Sequence, residues 1–187
     1  MDSNLQIISG RYRGRKLVLP DGARPTQNRA RVAIFNMIAE ILPQNSQITV
    51  WDAFGGSGAM GIEILSRYSN ATATFTDISD KSLQTIKKNT NATAAIRVSI
   101  VKADATKVHI QYGKDANLIF VDPPYENARL GIDFVANLTG VVSTGTIVVQ
   151  EIENIVPYAP DTTQWDILRD RVYGRARFVI LRKKSNK

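Results

Sequence analysis

Short apolar runs alternate with amphipathic stretches along most of this chain. Runs rich in β-branched and aromatic residues at about 48–52, 73–77, 97–102, 117–121 and 146–151 predict strands, each bounded by turn residues. Between them, apolar positions recur at three- and four-residue spacing near 58–68, 80–91 and 127–138 and predict helices. Strand and helix in strict alternation imply a mostly parallel sheet covered on both faces. Upstream, Ala30, Ile34, Met37, Ile38 and Ile41 mark one further helix, with Thr26 as its N-cap after Pro25 and Pro43 as its stop. Residues 7–19 alternate around Gly10 and Gly14, which predicts a β-hairpin closed by Pro20. At the far end WDILRDRVY and RARFVILRK, joined around Gly174, predict an antiparallel pair at the sheet edge.

Length and composition narrow the classes that remain. A chain of 187 residues without repeats or low-complexity tracts is expected to be one α/β domain, a basic hairpin extension at 1–22 followed by a core at 23–187. Nothing at the N-terminus resembles a signal peptide and no apolar run is long enough to span a bilayer, so the expectation is a cytoplasmic monomer without a membrane partner. With no cysteine and one histidine, His109, disulfides, ordinary zinc sites and Cys–His nucleophilic mechanisms are excluded, and no metal is expected. A net charge of +7 favours a polyanionic partner. The cations gather early: Arg11, Arg13, Arg15 and Lys16 surround Tyr12, with Arg24, Arg29 and Arg31 close behind. That set can hold RNA phosphates and stack a base on the tyrosine. Arg31 falls off the apolar stripe of its helix and is free to face solvent, substrate or cofactor.

The stretch ITVWDAFGGSGAMGIE, from Ile48 to Glu63, carries the first chemical signal. Gly56, Gly58 and Gly61 fit a strand–glycine turn–helix cofactor motif. Asp52 at the strand end would repel a pyrophosphate on the helix N-terminus, whereas a sulfonium and an ammonium would be attracted. That favours S-adenosylmethionine over a dinucleotide. Asp77, about 20 residues beyond the turn, ends the second strand where an acid can accept from ribose hydroxyls. Asp80 is the competing candidate but looks like a helix cap. Asp104 ends the third strand and either accepts an adenine amino group or caps the next turn.

The fourth strand runs straight into Asp122-Pro123-Pro124-Tyr125. An exocyclic base amine is a poor nucleophile because its lone pair is delocalised into the ring, so its protons need acceptors. Asp122 can supply one and the Pro123 carbonyl another, held rigid by the two prolines. Tyr125 offers a face for the base to stack on, aiming the amine at a methyl donor. Glu151, at the end of the fifth strand, is a secondary candidate for substrate contact.

These motifs resemble those of class I methyltransferases acting on amino nitrogens. Together with IISGRYRGRKLVLP, RPTQNRARVAIFN and YGRARFVILRK, the chain resembles the bacterial RsmD-like family, the 16S ribosomal RNA guanine-N(2)-methyltransferases, over nearly its whole length. The resemblance implies a Rossmann-like, seven-stranded sheet with an antiparallel last strand. It implies S-adenosylmethionine as methyl donor and a guanine of ribosomal RNA as acceptor, within an assembling small subunit. It places Asp52, Phe54, Gly56, Ser57, Gly58, Asp77, Ile78, Asp104 and Ala105 at the cofactor, and Asp122, Pro123, Pro124 and Tyr125 at the base. Val32 departs from the glutamate that relatives commonly carry. Amino methylation of another base, in RNA or DNA, shares the chemistry, and the glycine spacing alone would also suit a dinucleotide-dependent oxidoreductase.

Overall fold

The computed structural model describes residues 5–20, 28–44, 46–95 and 97–185, so Arg24, Pro25 and the expected cap Thr26 lie outside the described residues. Helix α1 (Asn28–Ile41) precedes an alternating series: β1 (Thr49–Asp52), α2 (Ala59–Arg67), β2 (Thr72–Asp77), α3 (Asp80–Ala92), β3 (Val98–Lys102), α4 (Ala105–Gly113), β4 (Leu118–Val121), α5 (Ala128–Leu138) and β5 (Ile147–Glu153). Strands β6 (Trp165–Tyr173) and β7 (Ala176–Lys183) close the chain. The seven strands form one sheet of order β3-β2-β1-β4-β5-β7-β6; β7 runs antiparallel to both its neighbours and the other paired strands are parallel.

Every residue of β4 is buried, as expected of a central parallel strand covered on both faces. One core cluster joins alternate strand residues such as Val50, Phe75 and Phe120 to Ile34, Phe35 and Ile38 of α1 and Ile62 and Leu65 of α2. The other packs Trp51, Ile119, Val148 and Leu181 against Phe134, Val135 and Leu138 of α5. Strand order reverses between β1 and β4, and ligands of such sheets gather at the carboxyl ends flanking that reversal. No helix among the described residues is long and apolar enough to cross a membrane.

In its overall architecture the structure departs from the sequence reading chiefly in three places. The expected N-terminal hairpin is a single antiparallel bridge, Gln6 to Lys16, beyond which the chain makes a compact turn against α2. Ile7 N–H to the Arg15 carbonyl at 3.0 Å and Leu17 N–H to the Leu5 carbonyl at 2.9 Å still join the two arms, but the donors at the tip go to α2. Ile8 N–H and Ser9 N–H go to the Glu63 carboxylate at 2.8 and 3.0 Å, Arg11 N–H to the Ser66 carbonyl at 2.9 Å, and Tyr12 N–H to Ser66 Oγ at 2.9 Å. Gly10, at φ +82°, lies so close to α2 that a Cβ there would fall 2.0 Å from the Ser66 carbonyl oxygen. A regular ladder cannot form around that contact. Leu5, Ile7 and Leu17 consequently belong to the main core.

Arg31 is the second departure. It is 1% exposed, pairs with buried Glu63 at 3.6 Å and donates to the Gln6 carbonyl at 3.1 Å, so it faces the interior rather than solvent or substrate. Burial lowers its pKa, Glu63 opposes that, and Arg67 adds to it. Helix α4 is the third. It was not among the expected helices because its apolar positions are sparse: Val108 and Tyr112 face the core, whereas Ile110 is exposed.

Candidate active site

The glycine turn leaves β1 with Gly56 at φ +53° and Gly58 at φ +74°, conformations that disfavour a side chain. This geometry lets α2 start directly over the strand end, Gly58 standing at its N-cap. Gly61 completes the approach, since a Cβ on it would meet the Phe75 ring at 2.5 Å. Asp52 is buried and accepts from Gly61 N–H at 3.1 Å. Burial raises its pKa to about 7; the Gly61 bond lowers it and the charge of Asp77 raises it. A buried carboxyl with that balance is stabilised by any cation brought close to it.

Asp77 ends β2 and is half-buried. One oxygen accepts from Gly56 N–H at 2.9 Å and the other from Ser79 N–H at 2.8 Å, so the side chain spans from the β2 end to the glycine turn. Ile78, next to it, is 70% exposed, an apolar side chain left at the rim with no core to join. Asp80 begins α3 and forms an exposed pair with Lys102 at 2.6 Å. The α3 N-cap is Ser79, one residue before the expected Asp80. Trp51 Nε1 donates to Thr76 Oγ1, which donates to the Ala53 carbonyl, tying β1 to β2 beside the turn.

Asp104 is the N-cap of α4, accepting from Thr106 N–H at 3.0 Å and the Thr106 hydroxyl at 2.7 Å. These bonds, the hydroxyl's first, hold its carboxyl below the ordinary range. Its capping role is thus realised, and Ala105 is buried in the first turn behind it. His109 Nδ1 lies 2.7 Å from the Thr106 carbonyl, within the same helix. Phe54 packs edge-on against Phe134 at 5.4 Å, and the Ser57 carbonyl accepts from Asn89 Nδ2 at 2.8 Å.

Across the reversal, Asp122 follows β4. Burial, then the charges of Glu151 and Asp52, holds its carboxyl well above the ordinary range. Pro123 is buried and Pro124 exposed. The Tyr125 hydroxyl donates to Glu151 Oε1; burial, then this bond, raises the phenol far above its usual value. Two shallow clefts flank this tip. One is lined by Pro123, Tyr125, Gly131, Gln150 and Glu151, the other by Met60, Phe120, Asp122, Glu151 and Phe178. Glu151, secondary in the sequence reading, borders both. The sequence marked it as a strand-end acid; in the structure β5 continues to Glu153 and pairs Glu151 with Phe178 of β7.

The cationic residues divide between the N-terminal turn and helix α1. Arg13, Arg15, Lys16 and Arg29 are exposed. Arg11 is partly committed, donating to the Leu65 carbonyl at 3.0 and 3.2 Å, with its guanidinium 4.9 Å from the Tyr12 ring centroid. Tyr12 is half-buried.

The geometry has counterparts among known proteins. The sequence profile described as Conserved hypothetical protein 95 matches residues 5–182. Ribosomal RNA small subunit methyltransferase D of Escherichia coli is 33% identical over 186 residues, 97% of this chain and 91% of the relative. The chain belongs to the RsmD-like family. Among solved structures, the Escherichia coli protein yhhF superposes on this RsmD-like chain with a TM-score of 0.80 at 32% identity, covering 97% and 99% of the two chains. The precorrin-6y C5,15-methyltransferase of Geobacter metallireducens shares the fold alone, with a TM-score of 0.66 at 13% identity over 90% of this chain and 94% of that one. The expected Rossmann-like methyltransferase architecture with an antiparallel last strand is therefore the observed one.

Proposed function

We propose that this RsmD-like protein methylates the exocyclic 2-amino group of a guanine in small-subunit (16S) ribosomal RNA, with S-adenosylmethionine as methyl donor. The observation that carries the reading is the placement of Asp122-Pro123-Pro124-Tyr125 at the tip of β4, across the strand reversal from the glycine turn and Asp77. A relative named as a ribosomal RNA small subunit methyltransferase matches over nearly the whole chain, which supports the RNA acceptor.

The residues present fit the donor. Asp77 offers carboxylate acceptors for a ribose, and exposed Ile78 offers an apolar face for a purine. Asp52 and Asp122 have raised pKa values that a nearby sulfonium would relieve. When bound, S-adenosylmethionine supplies an activated methyl group: the N–C bond forms as the C–S bond breaks, sulfur keeps the bonding pair, and the amine sheds one proton. Asp122 and the Pro123 carbonyl accept the amine protons and pull the lone pair out of ring conjugation. A sulfonium beside Asp122 would favour its carboxylate, the form able to accept from the amine. Tyr125, its hydroxyl anchored on Glu151, holds the ring against which an unpaired or flipped base stacks. Fixing both reactants in attack geometry contributes up to roughly 7–11 kcal/mol, so positioning supplies most of the catalysis. Arg13, Arg15, Lys16 and Arg29 are the exposed cations available to RNA phosphates.

The test is transfer of labelled methyl to unmodified small ribosomal subunits, followed by nucleoside mass spectrometry. N2-methylguanosine is expected. Only 6-methyladenosine, or label only on DNA, would reject the guanine acceptor and keep the amine chemistry. Tighter binding of NADH than of S-adenosylhomocysteine would reject both.

A further inference from the structure

We infer that Glu151 is the specificity-determining residue of this site, accepting the N1–H of the target guanine while Asp122 and the Pro123 carbonyl take the adjacent 2-amino protons. The inference rests on the guanine reading proposed above and names the group that selects that base.

Strands β4 and β5 run parallel with Val121 beside Gln150, so Asp122, just past the end of β4, comes beside Glu151, which is still within β5 and paired with Phe178 of β7. They line one cleft together, and each is close enough for the Glu151 charge to act on Asp122. In guanine the 2-amino group and N1–H are neighbours on one edge, two donor positions that match two adjacent carboxylates. Adenine presents a lone pair at N1, which a carboxylate repels.

Glu151 is also held in place. It is 9% exposed, and the Tyr125 hydroxyl donates to Oε1, orienting the carboxylate from within the Asp-Pro-Pro-Tyr turn itself. A carboxylate has acceptor sites for more than one donor. Gln150, one residue earlier in β5 and therefore facing α5 on the other side of the sheet, is a second polar group at this tip. It is fully buried, neither atom of its carboxamide has a hydrogen-bond partner, and it lines the cleft shared by Pro123, Tyr125 and Glu151. Such a group is costly unless something uses it.

The experiment compares wild-type protein with Glu151→Gln on small-subunit RNA carrying guanine or 2,6-diaminopurine at the mapped target nucleotide. Both bases have a 2-amino group, but only guanine has N1–H. Wild-type protein is expected to favour guanine in kcat/KM by roughly 10- to 100-fold. Glu151→Gln should lose most of that preference, because its amide can donate to the diaminopurine N1, while S-adenosylhomocysteine affinity and the thermal midpoint stay near wild type. Tyr125→Phe, which keeps the carboxylate and releases its anchor, should shift the ratio in the same direction by less. An unchanged guanine-to-diaminopurine ratio in both variants, or an equal loss on both bases, overturns the inference. Failure of wild-type protein to form N2-methylguanosine overturns the guanine reading and this inference with it.

Discussion

Glu63→Leu tests how the N-terminal turn is bound to the catalytic core. The Glu63 side chain is fully buried and accepts from Ile8 N–H at 2.8 Å, Ser9 N–H at 3.0 Å and Arg67 Nε at 2.7 Å, with Arg31 3.6 Å away. Leucine leaves the Arg31 guanidinium buried at 1% exposure without its counter-ion. Removing one partner of a buried ion pair costs about 3–5 kcal/mol, because the remaining charge is neither paired nor hydrated. Two orphaned amide donors would add to this, but the turn can lift and hydrate them, so about 3–5 kcal/mol is the working figure. For a chain of this size about 1 kcal/mol moves the midpoint by roughly 2–4 °C, so a fall of roughly 6–20 °C is expected. Urea unfolding followed by tryptophan fluorescence reads the loss, and limited proteolysis should show earlier cleavage within residues 5–20. Combining Glu63→Leu with Arg31→Met removes the stranded cation and should recover much of the stability. A single mutant within about 1 kcal/mol of wild type, or a double mutant less stable than the single, would refute the reasoning.

Three further outcomes follow from the site. Asp77→Ala should weaken S-adenosylmethionine binding by roughly 10- to 150-fold in calorimetry, because a charge-assisted acceptor is removed, whereas Asp80→Ala should not; the reverse result would exchange their assignments. Asp52 has a folded pKa of about 7 against an ordinary 3.8, so protons bind the folded state more tightly. Its contribution is greatest below the unfolded value and is lost as pH rises toward 7, by a few kcal/mol at ~1.4 per pH unit. Urea titrations at several pH values should show that decline, and Asp52→Asn should flatten it; an equal slope in both proteins would remove Asp52 as the cause. Replacing Arg13, Arg15 and Lys16 with Ala should lower the slope of log affinity for RNA against log salt by about 0.7 for each phosphate no longer neutralised, with cofactor affinity unchanged. An unchanged slope would move the RNA surface elsewhere.

The order of strands and helices was legible in the sequence because periodicity is local: buried parallel strands read as apolar runs, and amphipathic helices repeat every three or four residues. The two chemical motifs were legible for the same reason, since Asp52 with its glycines and Asp122 with its prolines act through neighbours in the chain. Asp104 showed the limit of that reading, since an acid at a strand end and a helix N-cap share one pattern. Tertiary structure alone decided the fate of Arg31. Off the apolar stripe of its own helix, it is nevertheless buried, because Glu63 and the Gln6 carbonyl arrive from other segments. The N-terminal turn keeps a short antiparallel pairing between its arms, but its tip draws hydrogen-bond partners from α2, more than 50 residues away, so the longer ladder its alternation suggested stops there. Glu151 was visible as a strand-end acid, but only the parallel register set it beside Asp122 and under Tyr125. Periodicity reports which face a residue takes within its own element; which charge meets it there depends on pairings between segments far apart in the chain.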